Sequence, residues 1–211
     1  MTVGKTLARM AALIACAAGL SACISLLPKS KPAQLYRFDT APIAAAAPDA
    51  VQAKPFAVLR ARGGFDPTAA GDRMLTLDGQ QVAYIAEARW AAPAMVLFDQ
   101  ALSRAFDANT GPARLVGRGQ TGRAQLILQI DVREFAAVYE AGPQSAPTVV
   151  VRAHASLVRG LDRTLVSERM FESKIKTGDN RVSAIAAGFE KAVGDVLGQV
   201  IAWTNASGGS A

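Results

Sequence analysis

The sequence predicts an α/β fold, more closely an α+β sandwich, in which a mixed, mostly antiparallel sheet packs against two main helices. Between residues 125 and 135, leucine, isoleucine and valine recur at every second position, the period of a strand with one buried face. Residues 93–106 and 182–203 instead repeat apolar side chains every three or four positions, the period of amphipathic helices. Strands accompanied by two such helices favour a layered domain.

The first 22 residues have the features of a lipoprotein signal peptide. Two basic residues, Lys5 and Arg9, precede an apolar run that ends in Leu20-Ser21-Ala22-Cys23. A bilayer core of about 30 Å needs roughly 20 apolar residues, so this run is too short to span it. We therefore expect residues 1–22 to be cleaved, and they are excluded from the predicted fold.

The tetrapeptide ending at Cys23 matches a lipobox, in which the cysteine thiol receives a diacylglycerol and the new amino terminus a third acyl chain. Each buried CH₂ contributes about 0.8 kcal/mol, so three chains anchor a protein that one would hold only marginally. The alternative is an ordinary secretory signal cleaved near Ala22. Because Cys16 would leave with the signal, the mature chain would have no free thiol for a disulfide, a metal or nucleophilic catalysis.

The residue after the cysteine bears on the destination of the anchor. Ile24 stands where an aspartate would resemble an inner-membrane retention signal in enteric-type bacteria. We therefore expect the protein at the periplasmic face of the outer membrane, with the inner membrane as the less favoured alternative.

The mature chain is long enough for one domain. Removal of the signal leaves 189 residues with 21 basic and 17 acidic side chains. The expected organisation is a lipidated tether over 23–33, a single domain over 34–204 and a disordered tail over 205–211. The basic residues do not interleave with aromatic ones, so no nucleic-acid partner is expected. A weak attraction to anionic lipid head groups fits the charge, and an ordinary solvated surface is the alternative.

In the first half of the domain, short strands are predicted over residues 35–38, 56–61, 74–77 and 81–85, with an alanine- and proline-rich surface loop over 40–55. Asp78-Gly79 predicts a type I′ hairpin turn. Pro93 begins a helix in which Met95, Phe98, Leu102 and Phe106 form an apolar stripe, and residues 109–112 end it.

In the second half, strands are predicted over residues 125–135, 148–158 and 164–175, the last two joined by a hairpin at 160–163. A long C-terminal helix follows an Asp179/Asn180 cap, and its stripe ends at Trp203.

Motifs that suggest chemistry have simpler explanations. Residues 117–122 spell G-x-G-x-x-G, but a strand follows instead of the helix that a dinucleotide site needs, so a turn between strands is predicted. Ser173 and Lys176 match S-x-x-K in a segment predicted as a strand, where they do not share a helical face. His154 is the single histidine and lacks partners for a triad or metal site. No catalytic residue, metal site or cofactor is predicted; a hydrolase built around His154 is the least favoured interpretation.

Tyr84, Arg89 and Trp90 place two aromatic rings and a cation at the entry to the first helix. Such a group could form a contact surface for a protein partner or lipid. The alternative is that Tyr84 and Trp90 seal the end of the core.

Several features occur together in this chain: the lipobox, the Tyr36/Phe38 strand, the Tyr84-to-Trp90 segment before a helix, the 125–135 strand and the helix ending at Trp203. In this combination the chain resembles the ABC-type transport auxiliary lipoproteins. The resemblance implies a periplasmic α/β domain that serves a lipid-moving system composed of an MCE-domain protein, an ABC permease and an ATPase. The chain has no Walker motif, so ATP hydrolysis would belong to a partner. The alternative is a structural or assembly lipoprotein of the envelope that binds proteins without handling lipid.

Overall fold

Eight strands and two helices are present in the residues that the computed structural model describes, which are 32–39, 54–117 and 124–209. The strands are β1 (Gln34–Tyr36), β2 (Phe56–Arg60), β3 (Arg73–Asp78), β4 (Gln81–Trp90), β5 (Ala113–Val116), β6 (Leu126–Val138), β7 (Thr148–Arg159) and β8 (Leu165–Lys176). The helices are α1 (Ala94–Asp107) and α2 (Val182–Gly208). The signal peptide, Cys23, most of the expected tether and surface loop, and most of the G-x-G-x-x-G motif lie outside the described residues.

The long strand β6 organises the sheet. One of its edges pairs with β7 along nearly its whole length, and β8 continues the sheet beyond β7. The other edge is divided between two neighbours: β2 pairs with its first residues and β3 with its last. Beyond these, β5 adds to β2, while β4 and then β1 add to β3. One strand therefore holds two separate branches of the sheet together.

The predicted α+β class and the mixed sheet are confirmed. The antiparallel pairs β3–β4, β6–β7 and β7–β8 contain the long registers, and β1–β4, β2–β5, β2–β6 and β3–β6 are short parallel pairs. As expected, α1 follows the first hairpin and α2 is C-terminal. Strand β5 was not predicted, because its four residues are too few to establish a period.

The first hairpin differs from its prediction in two ways. Asp78 pairs with Gln81, so the loop is Gly79-Gln80, and only Gly79 has a positive φ, of 56°. This arrangement fits a type II′ turn, with glycine at its first central position, and the predicted type I′ turn is wrong. Strand β4 also continues past Ile85 to Trp90, because an irregularity at Glu87, with φ 56°, interrupts the alternation without ending the strand.

Both helices bury apolar stripes in the same core. In α1, Phe98, Leu102 and Phe106 are buried as predicted, whereas Met95 is largely exposed and does not belong to the stripe. The first amides of α1 donate to the carbonyls of Ala70 and Gly71, which supply the hydrogen-bond partners that a side-chain cap would otherwise provide.

An aromatic cluster joins the sheet to the long helix. Phe135 on β6 stacks on Phe189 of α2, with ring centroids 4.7 Å apart. Trp90 meets Phe189 and Phe38 edge to face at 5.2 and 5.3 Å, and Phe65 lies 5.4 Å from Phe135. Aromatic pairs in such geometries contribute about 0.5–1.5 kcal/mol each beyond the area that they bury. The cluster thus connects the end of β4, the last part of β6 and the first third of α2.

The ends of α2 lie one or more residues beyond the predicted positions. The N-cap position is Arg181, whose amide donates to Asp179 Oδ1 at 2.8 Å, so Asp179 assists the helix start from outside the cap position. At the other end, the Asn205 amide group exchanges hydrogen bonds with Asn109, and Asn205 Oδ1 accepts from the Ala113 amide at 3.0 Å. The expectation of a disordered tail from residue 205 is therefore wrong for residues 205–208, which are helical.

We expect Phe189→Ala to lower the free energy of unfolding by about 3–5 kcal/mol, because it empties the space between Phe135 and Trp90. Lys191→Ala, on an exposed part of the same helix, should change it by about 0.5 kcal/mol or less. Urea unfolding of the mature chain, followed by tryptophan fluorescence, measures both. Equal losses in the two variants would contradict the role assigned to the cluster.

Candidate functional site

The structure separates the three residues that the sequence groups as a candidate contact surface. Trp90 is only 2% exposed and lies in the aromatic cluster, which agrees with the alternative that it seals the core. Its indole Nε1 has no hydrogen-bond partner among the described residues. The expectation that Trp90 contacts a partner or lipid is therefore wrong, since the ring is covered by the protein itself.

Tyr84 lies at the surface and is held in place by polar contacts. The side chain is 37% exposed, its hydroxyl donates to the Thr68 carbonyl at 3.0 Å, and the Arg73 guanidinium lies 4.7 Å from its ring centroid. A cation over a tyrosine face contributes about 0.5–1 kcal/mol at an exposed site. Tyr84 thus presents a partly open aromatic face next to a positive charge.

Arg89 also lies at the surface, because it follows the buried Ala88 and precedes the buried Trp90 on β4. Its Nη1 is 2.9 Å from Asp72 Oδ2, and about half of each side chain is exposed. In the sheet, Arg89 stands beside Leu35 of β1 and beside Arg73 of β3. The strand order therefore brings two further residues next to a predicted one.

These contacts define one face of the β1–β4–β3 branch, which we call the β1–β4 surface. It is formed by exposed apolar and aromatic side chains and two arginines: Leu35, Arg73, Val82, Tyr84 and Arg89. Leu35 is 66% and Val82 56% exposed. Of these residues the sequence predicts only Tyr84 and Arg89. The β3–β4 hairpin is predicted, but with its first strand beginning at residue 74, and nothing local indicates that β1 flanks the other edge of β4. The surface has no nucleophile or acid–base pair, and it is suited to contact with an apolar or anionic partner.

The β6–β7–β8 part of the sheet carries a line of ion pairs, which we call the polar ladder. Arg152 on β7 lies between Glu134 of β6 and Glu172 of β8, at N–O distances of 3.0 and 2.5 Å. Lys174 Nζ adds a contact of 3.1 Å to Glu172. The hydrogen bond from Arg152, followed by that from Lys174, lowers the pKa of Glu172. Alternate charges across neighbouring strands stabilise this face in water.

The other residues that the sequence raised for chemistry are not brought together. His154 Nε2 is 3.5 Å from Glu168 Oε2 on the face of the polar ladder. Ser173 Oγ bonds to Asp195 on α2, whereas Lys176 Nζ donates to the Ala146 carbonyl. Within residues 32–39, 54–117 and 124–209, no group of three or more metal-binding side chains is found.

No helix in the described part of the chain is long and apolar enough to cross a membrane.

The fold and the surface define a class: an α+β domain with exposed apolar and charged side chains on a sheet whose other face is covered by two helices. A family model described as the ABC-type transport auxiliary lipoprotein component matches residues 70–201. The chain belongs to this family of ABC-type transport auxiliary lipoproteins, as the resemblance predicted.

Solved structures agree on the fold. The crystal structure of protein XCC0632 from Xanthomonas campestris, of the family DUF330, is similar with a TM-score of 0.74 and 23% sequence identity, over 84% of this chain and 98% of that chain. The crystal structure of an uncharacterized protein has a TM-score of 0.55 at 14% identity, over 85% of this chain and 98% of that one. At these identities the likeness shows the fold alone. No curated protein matches the chain.

The polar ladder predicts a pH-dependent stability. The pKa of Glu172 is lower in the folded chain than the value of about 4.3 expected when unfolded, so its ionised form stabilises the fold above that pH. This contribution is lost as the pH falls through the lowered value. We expect Glu172→Gln to reduce the free energy of unfolding at pH 7 by less than about 1 kcal/mol, because the pair is partly solvated.

Urea unfolding at pH 7 and at a series of acidic values tests this expectation. The difference between Glu172→Gln and the parent chain should shrink as the carboxyl becomes protonated. Glu190→Gln, on α2 and outside the polar ladder, is the matched control and should follow the parent. A loss in Glu172→Gln that stays constant with pH would show that the ionised carboxylate is not its cause.

Proposed function

We propose that the chain is a non-enzymatic, membrane-anchored periplasmic lipoprotein that assists an MCE-domain, ABC-type system moving phospholipid or another hydrophobic molecule between the inner and outer membranes. Membership of the ABC-type transport auxiliary lipoprotein family carries this proposal. Three details of the proposal rest on the sequence alone: the MCE-domain partner, the lipid cargo and the membrane that holds the anchor. Permease and ATPase would be separate chains reached through the MCE-domain protein.

The anchor is assigned to Cys23. Basic residues, a short apolar run and Leu20-Ser21-Ala22-Cys23 occur in the order that lipoprotein processing requires. Acylation would attach the mature chain to a membrane by three hydrocarbon chains, and Ile24 favours the periplasmic face of the outer membrane. The protein would then contribute position and docking instead of chemistry.

The contacts of the charged side chains support a role without catalysis. Arg152, Glu134 and Glu172 neutralise one another on the sheet surface, and Ser173 is bonded to Asp195. Catalytic groups need proton-transfer partners and an open place for substrate, whereas these groups are occupied by structural contacts. A docking protein needs surfaces of complementary charge and shape.

The alternative, an assembly lipoprotein that binds proteins without handling lipid, is favoured by one observation. The space between sheet and helices is filled by the buried core, which includes Phe135, Phe189 and Trp90. A cargo site inside the domain would require an apolar space. The domain would then serve the transport system by docking alone, or a different envelope assembly.

We expect Cys23→Ser to abolish both acylation and cleavage of the signal peptide, because serine offers no thiol for the diacylglycerol. Cys16→Ser is the matched control, since it changes the other cysteine while keeping the lipobox. Intact-mass measurement and radiolabelled palmitate incorporation in the expressing cells report the modification. Equal labelling of both variants would refute Cys23 as the lipid site.

The transport role is tested by native mass spectrometry of the processed lipoprotein, alone and with the MCE-domain protein encoded nearest to it. We expect a stoichiometric complex, and co-purified phospholipid would add cargo handling to docking. The chain should be kept through Gly208, because Asn205 bonds to Asn109 and to the Ala113 amide. An MCE-domain protein from another system is the control. Failure to bind the neighbouring MCE protein, together with absence of lipid, would favour the assembly lipoprotein.

A further inference from the structure

We propose that the β1–β4 surface rests on the lipid head groups of the membrane to which the chain is anchored. This inference depends on the proposed acylation of Cys23 and adds an orientation to it. The occupant of the surface is thus a phospholipid bilayer. Leu35, Val82 and Tyr84 would enter the head-group region, with Arg73 and Arg89 beside them.

The course of the chain supplies the first argument. Strand β1 is the first described strand after Cys23, and the step from Cys23 to Gln34 is eleven residues. At roughly 3.3–3.6 Å per residue, this segment reaches at most about 40 Å, so the β1 end of the domain stays near the bilayer. Because β1 pairs with β4 in parallel, its end that leads to Cys23 is directed toward the part of β4 that contains Tyr84 and Val82.

The composition of the surface supplies the second argument. Leu35 and Val82 expose most of their apolar area to solvent, and Tyr84 combines an open ring face with a hydroxyl. Membrane interfaces favour aromatic residues with a polar tip, and arginines there can keep their charge among head groups while their stems cover apolar surface. Anionic lipids would attract Arg73, whereas Asp72 already neutralises much of the charge of Arg89.

The far end of the sheet provides a matched comparison. Leu161, in the turn between β7 and β8, is fully exposed. That turn follows Arg159, which pairs with Leu126 at the start of β6, whereas β3 pairs with the last residues of β6. Strand β6 has 13 residues, so its two ends are about 40 Å apart. Leu161 is therefore an exposed apolar residue that the proposal places away from the bilayer.

Site-specific labels test the orientation. Val82→Cys and Leu161→Cys are made separately in the full chain, which is processed in cells and carries an environment-sensitive fluorophore on the new thiol. Cys16 leaves with the signal and an acylated Cys23 cannot react, so each protein has one labelling site. The labelled protein is inserted into vesicles of phosphatidylethanolamine and phosphatidylglycerol, with or without spin-labelled lipid as quencher. Leu35→Cys provides a second label on the proposed surface.

We expect the labels at positions 82 and 35 to shift to shorter emission wavelength and to lose most of their emission to the lipid quencher, while the label at 161 keeps its emission. Flotation of the vesicles first establishes that the protein is anchored. If the protein floats but the labels at positions 82 and 35 are quenched no more than the label at 161, the orientation is overturned, while acylation stands. A wavelength shift without lipid quenching would mean that another protein molecule, such as a second copy of this chain, covers the surface. That result would also overturn the proposed lipid contact. A chain that does not float would refute the anchor and this inference with it.

Discussion

The stacking of Phe135 on Phe189 connects the middle strand of the sheet to the C-terminal helix, and the rest of the fold is arranged around that contact. Strand β6 has different neighbours at its two ends on one edge, so β2 and β3 do not hold each other in place there. What keeps both branches in one domain is the common core beneath them. Phe38, Trp90 and Phe65, which come from three separate parts of the chain, meet Phe135 from different directions.

The same core determines what the surface can present. Trp90 is fixed between Phe38 and Phe189, and its neighbour Arg89 therefore points to the other face of β4. Arg89 in turn stands beside Leu35 and Arg73, and Arg73 lies over the ring of Tyr84. The exposed apolar and basic side chains of the β1–β4 surface thus have fixed relative positions. The buried Trp90 orients Arg89, and the irregularity at Glu87 brings Tyr84 and Val82 to the face of Arg89. Trp90, which the sequence suggests as a contact residue, therefore acts from inside the core by orienting Arg89.

The sequence predicted most elements, and their bounds are closest where a period extends over many residues. Strand β6 and both helices have apolar side chains that repeat several times, whereas strand β4 was predicted to end five residues early. Strand β5 has four residues and no measurable period, and the turn at Gly79-Gln80 depends on which residues pair, which a local motif does not determine. The candidate surface was predicted only at Tyr84 and Arg89, since Leu35 joins it through parallel pairing of a distant segment, and Arg73 joins it because the hairpin extends past the predicted strand ends. Asn205 reads as part of a polar tail, and its hydrogen bonds to Asn109 appear only once the helices are packed.

The proposed anchoring and docking would place complementary demands on this sheet. A domain attached near β1 would have the two ends of β6 at different distances from the membrane, because β3 pairs with the last residues of β6 and the β7–β8 turn lies beside its first residues. If the β1–β4 surface faces lipid, the turn at Leu161 remains on the part of the sheet that extends from the bilayer. The polar ladder lies nearer to the surface, because Glu134 is three residues from Ala137, where β3 pairs with β6. Charged ladders are costly to bury against hydrocarbon but suit a hydrated protein interface, where opposite charges guide association. The exposed apolar residues of the β1–β4 surface are therefore the ones suited to lipid contact, whereas the charged residues of the polar ladder would stay in the hydrated layer beside it.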